Sequence, residues 1–118
     1  TGLSMGTPWE VAQYTAIGYN NPFAAIVPVS AGGQFQWGQS VGNYNIPCWS
    51  LRGASDTDVP LNSAMRPING FNDVGGTPVP IYQELSGVHN GAFWDKVYAT
   101  DNTYLTPNIY QWMLQFTL

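Results

Sequence analysis

Apolar and polar positions along the chain follow two rhythms. Between residues 7 and 19, Trp9, Ala12, Ala16 and Ile17 recur on one face at helical spacing. Thr7 can cap that helix, Pro8 suits its first turn, and Glu10 stands three residues after Thr7, the spacing of a capping box. Asn20, Asn21 and Pro22 stop it. The next segment, FAAIVPVSAGG over residues 23–33, is apolar without alternation and closes on glycines, which is how a strand buried on both faces reads. Residues 34–45, QFQWGQSVGNYN, mix polar and aromatic side chains and read as a loop. IPCWSLRG over 46–53 is a second buried strand, closed by Gly53. Residues 59–76 carry a weaker helical pattern with Leu61, Ala64, Met65 and Ile68 on one face. Pro67 argues against a perfect helix and allows a start one turn later. Gly75 and Gly76 end it. A third strand is expected from Val79 to Leu85, and residues 91–99, GAFWDKVYA, read as a short helix or turn. Towards the C-terminus Thr106 serves as cap and Pro107 as first helical residue, and Ile109, Trp112, Met113 and Phe116 form an apolar stripe.

Strands alternating with helices imply an α/β class: a parallel sheet with flanking helices and right-handed crossovers. The 118 residues suffice for a single domain, residues 1–118, with one modest core and no second. Aromatics at 14% and charged residues at only 8%, against about 25% charged in ordinary domains, exclude a disordered chain. The net charge of −4, with Arg52, Arg66 and Lys96 as the cations, argues against nucleic acid and anionic membranes as partners. No apolar run approaches the ~20 residues of a membrane span, and no leader pattern is expected. A single cysteine excludes an internal disulfide and a cysteine zinc cluster; within its apolar run, Cys48 reads as an inert buried thiol. Asp73, Asp95 and Asp101 show no metal spacing, so no metal site is expected, with calcium on exposed aspartates as the one alternative. Few lysines beside many Asn, Gln, Thr and aromatic residues hint at an exported protein exposed to carbohydrate.

Reactive groups in parallel sheets gather at the carboxyl ends of the strands. Ser4 lies before the first helix in the pattern G-x-S-x-G, formed by Gly2, Ser4 and Gly6. The second strand runs into RGASDTDVP, with Asp56 and Asp58. The third runs into LSGVHNGAFW, with His89, the only histidine. The chain order is Ser, Asp, His. A serine hydroxyl is a weak nucleophile and needs a base within reach. An imidazole can take its proton, and a carboxylate on the other ring nitrogen fixes the tautomer. Either aspartate could instead cap the following helix. Trp94, Phe93, Trp37 and Phe35 could line an acyl or sugar pocket, Trp94 foremost, though aromatics mostly pack.

The sequence resembles the C-terminal half of an α/β-hydrolase of the esterase type. It is similar to the carboxylesterase and phospholipase-like group and to feruloyl, acetyl-xylan and polyhydroxybutyrate-depolymerase-like esterases. GLSMG resembles their nucleophile elbow. RGASDTDVP resembles their H-G-x-x-D-x-x-V-P, which falls on Asp56, Val59 and Pro60 and leaves Asp58 as the fallback. Arg52 stands where relatives usually have His. SGVHNGAFW resembles their glycine-then-histidine turn, and YLTPNIYQWMLQF their last helix. The resemblance implies a partial α/β-hydrolase fold from the elbow onward. It also implies a Ser4–His89–Asp56 triad, with the backbone N–H of Met5 as one oxyanion donor and no cofactor. The family's earlier strands, and the loop that supplies the second donor, lie outside this sequence. A partner is therefore expected, a second copy or a complementary N-terminal half, and activity can depend on it. The implied substrate is a small-molecule or polysaccharide ester, short-chain acyl esters included. A peptidase would use the same triad, and a catalytically inert fragment could serve as a binding or interaction module.

Overall fold

Four short parallel strands are laid down in chain order. The computed structural model describes residues 1–5, 8–18 and 22–117. Strands β1 (Gly2–Leu3), β2 (Pro28–Val29), β3 (Trp49–Gly53) and β4 (Ile81–Leu85) form one sheet in the order β1-β2-β3-β4, every neighbouring pair parallel. Helices α1 (Pro8–Gly18), α2 (Phe35–Asn43) and α3 (Leu61–Asp73) connect successive strands, and α4 (Gly91–Val97) and α5 (Ile109–Met113) follow β4. Stepping always in one direction with crossovers of one hand puts the three connecting helices on one face. The other face is left to α4 and α5.

The side chains divide accordingly. Val27, Val29, Trp49 and Leu51 pack with Phe93 and Val97 of α4 and with Ile109 and Trp112 of α5. Ile26 and Cys48, one residue out of phase, pack with Trp9 and Ala12 of α1, Val41 of α2, and Ile68 and Phe71 of α3. This is the two-residue alternation of strands buried on both sides. The expectation of one core is corrected: the sheet splits the interior into two. Cys48 is buried as expected, and burial pushes its thiol well above the ordinary value.

Residues 34–45 are not a loop, since most of them form α2. Its packed face is made of Gly38, Val41 and Gly42, so it lacks an apolar stripe. The small residues let two backbones meet: a Cβ on Gly38 would stand 1.8 Å from the Pro67 carbonyl oxygen, and one on Gly70 2.0 Å from that of Phe35. Nor does Pro67 delay α3, which runs unbroken from Leu61. Proline removes the N–H that would meet the carbonyl of Ser63, four residues back. Gly33 N–H takes that carbonyl instead at 3.2 Å, and the buried ring sits against Gly33.

Three boundaries shift. The apolar run 23–33 contributes only two ladder residues beside an isolated bridge between Ile26 and Cys48, because Pro28 has no N–H to donate. The third strand starts at Ile81, whose N–H reaches Cys48 O at 2.9 Å; Val79, between Pro78 and Pro80, is exposed. Asn108, not Thr106, caps α5. Its side chain accepts from Gln111 N at 2.9 Å while Gln111 Oε1 accepts from Asn108 N at 3.2 Å, a reciprocal capping box. In α1, Trp9 and Ala12 are buried as expected. Gly6, Thr7, Asn20, Asn21 and the side chains of Ala16 and Ile17 lie outside the described set.

Candidate active site

Each strand delivers its chain to a turn at the same edge of the sheet. After β1, Ser4 N–H donates to Val29 O at 3.0 Å, then Ser4 itself adopts φ +48°, in the left-handed region. A non-glycine residue there is strained, and strain of this kind gathers at functional turns. After β3, Asp56 N–H closes a turn onto Gly53 O at 3.0 Å. After β4, Gly87 takes φ +152° and lies so close that a Cβ on Gly53 would meet its carbonyl oxygen at 2.5 Å. The turns carrying Asp56 and His89 are thereby pressed together.

Three residues distant in sequence meet there. Ser4 Oγ lies 2.8 Å from His89 Nε2, and His89 Nδ1 lies 2.8 Å from Asp56 Oδ2. Asp56 is buried, and its other oxygen, Oδ1, accepts from the N–H groups of Asp58 at 3.0 Å and Val59 at 2.9 Å. A carboxylate is acceptor-only, so Nδ1 carries the imidazole proton in the neutral ring and Nε2 is left to accept from the Ser4 hydroxyl. The result is a line from hydroxyl to imidazole to carboxylate, able to withdraw a proton from Ser4 and return it. Asp58, the alternative acid, supplies only its backbone N–H to this line.

The surroundings hold the line in place. The ring of Trp94 makes a T-shaped contact with His89 at 5.1 Å between centroids, and its Nε1 donates to Ser30 Oγ at 3.0 Å. Ser30, buried and also at positive φ, directly follows β2. Arg52 holds the Asp56 turn from below: Nε donates to Val59 O, one terminal nitrogen to Asp56 O and the other to Glu84 Oε1, each at 2.8 Å. Asn90 caps α4 by accepting from Phe93 N at 3.1 Å, which fixes the helix directly after His89.

A groove of about 590 Å³ opens over Ser4 and His89, with Met5, Trp37, Asp58 and Arg66 among its walls. Met5 is 93% exposed, and its backbone N–H has no hydrogen-bond partner among the described residues. Of the aromatics expected against a ligand, only Trp37 lines the groove. Trp94 supports the imidazole instead, Phe93 belongs to the core, and Phe35 is exposed on α2. The residues that sequence reasoning did not assign are Ser30 and Arg52. A lone charge inside an otherwise apolar strand was the available signal for Arg52; Ser30 gave none.

Among the described residues, no three His, Cys, Asp or Glu side chains converge as a metal site would, and no helix is long and apolar enough to cross a membrane. No protein-family model matches the sequence, and no curated protein matches it either.

Proposed function

We propose that this chain is a serine hydrolase of carboxylic esters, built on part of an α/β-hydrolase fold and working by acyl transfer. The observation that carries this reading is the unbroken hydrogen-bonded line from Ser4 Oγ through His89 to Asp56 at the floor of an open groove. Ser4 Oγ attacks the ester carbonyl as His89 Nε2 takes its proton. Asp56 keeps Nδ1 protonated and offsets the charge of the imidazolium. The Met5 N–H donates to the oxyanion. His89 then protonates the departing alcohol, leaving an acyl group on Ser4. A water molecule attacks that group, giving its proton to His89, and the acid leaves as the proton returns to Ser4.

Association belongs to the same proposal, because β1 is an edge strand. A second copy or a complementary first half would cover that edge and bring another oxyanion donor, the loss of one donor being worth ~10²–10³ in rate.

Folded protein is expected to hydrolyse p-nitrophenyl acetate and to take a fluorophosphonate label on Ser4, with both lost in Ser4→Ala. Folded, assembled protein that does neither would be an inert binding module, and the hydrolase reading would be wrong.

A further inference from the structure

The sequence holds three cations. Arg52 is buried and paired with Glu84. The Lys96 ammonium lies 5.5 Å from the centre of the Tyr104 ring. Arg66 makes no ion pair or hydrogen bond among the described residues, is exposed, and lines the groove that contains Ser4 and His89. Asp58 lines the same groove and leaves Arg66 unpaired.

Position argues against a merely solvated charge. Arg66 projects from the turn of α3 that is clamped on both sides. Ser63 O is taken by Gly33 N–H, the buried ring of Pro67 sits against Gly33, and the Pro67 backbone lies against Gly38 of α2. A guanidinium on so fixed a base keeps its reach over the groove, and its planar fork suits a carboxylate. The chain is otherwise anionic, with a net charge of −4, and its general field repels an anion. An unpaired arginine at the groove gives an anion a direct partner there, beside Asp58 on the same wall.

We infer that Arg66 seats a carboxylate of the substrate, so that the preferred esters carry a negative charge besides the ester group. This rests on the hydrolase reading, and its test is kept separate from turnover. In Ser4→Ala protein, where acyl transfer is removed, binding is titrated by NMR with and without Arg66→Gln. The probes are monoethyl succinate, with its carboxylate on the acyl half, acetoxyacetate, with it on the alcohol half, and neutral ethyl butyrate.

The substitution is expected to weaken one charged probe about fivefold relative to ethyl butyrate, the size of a partly exposed charge pair. Arg66→Lys should recover part of the loss, and salt should erode the preference. The charged probe that responds identifies the half that carries the charge. Equal weakening of charged and neutral probes, or none, overturns the assignment. An Arg66-dependent preference in a protein without Ser4-dependent turnover would uphold this site and count against the hydrolase reading alone.

Discussion

Arg52→Met tests whether the Asp56 turn is held from below. Methionine keeps an unbranched stem of similar reach but removes every donor. Three contacts of 2.8 Å disappear: those to Val59 O, Asp56 O and Glu84 Oε1. Glu84 recovers most of its loss. Its side chain is 36% exposed, and the Tyr82 hydroxyl still donates to it at 2.7 Å. That hydroxyl is pushed up to about 12, chiefly by burial and then by Glu84, so it remains a donor across the neutral range. The pair with Glu84 therefore contributes at most ~1 kcal/mol. The Asp56 carbonyl fares worse, since an orphaned buried acceptor costs about 1–3 kcal/mol, and the half-buried Val59 carbonyl adds a smaller loss. Together the substitution should destabilise the fold by about 3 kcal/mol, a large share of the 5–15 kcal/mol typical of a domain. Urea unfolding should show a lower midpoint at unchanged slope. Labelling of Ser4 should slow as well, because the freed turn no longer aims Asp56 at His89. Arg52→Lys should recover little, since one ammonium cannot serve three acceptors in this fork. A change below about 0.5 kcal/mol, the size of an ordinary surface substitution, would refute the reasoning.

Other outcomes follow from the same geometry. Gly38→Ala, which would stabilise an exposed helix by about 1 kcal/mol, should here destabilise by 1–3 kcal/mol or more, roughly the cost of overpacking; the Cβ would stand 1.8 Å from Pro67 O, and a raised melting temperature would contradict the α2–α3 contact. Asp56→Asn should slow Ser4 acylation by about 10⁴ by favouring the wrong imidazole tautomer, while the loss in Asp58→Asn should be at least about 100-fold smaller; equal losses would return the acid's role to dispute. Cys48, its thiol held protonated by burial, should resist a disulfide reagent near pH ~8 until urea unfolds the chain; rapid reaction in the native state would contradict that burial.

The three residues of the relay were legible because each follows a strand: Ser4 after β1, Asp56 after β3 and His89 after β4. A parallel sheet sends all such turns to one edge, so strand order alone nearly assembles the group. Spacing to Val59 and Pro60 favoured Asp56 over Asp58, and the fold agrees, since only the Asp56 carboxylate reaches His89. Helix α2 stayed hidden because it packs through Gly38 and Gly42, and periodicity counts large apolar side chains. Pro67 misled because the carbonyl it orphans finds Gly33, a partner distant in sequence. Trp94 looked like a wall for a ligand, yet its indole N–H is committed to Ser30 and its ring to His89. In each case a long-range backbone or hydrogen-bond contact overrode a local rule.

Because His89 is the only histidine in the chain, its ring nitrogens can be read without ambiguity by ¹⁵N NMR of histidine-labelled protein. In the neutral form the proton should sit on Nδ1, donated to Asp56, with Nε2 bare towards Ser4, and Asp56→Asn should reverse the two. A proton on Nε2 in the native protein, or ring signals indifferent to Asp56, would contradict the relay on which the account stands.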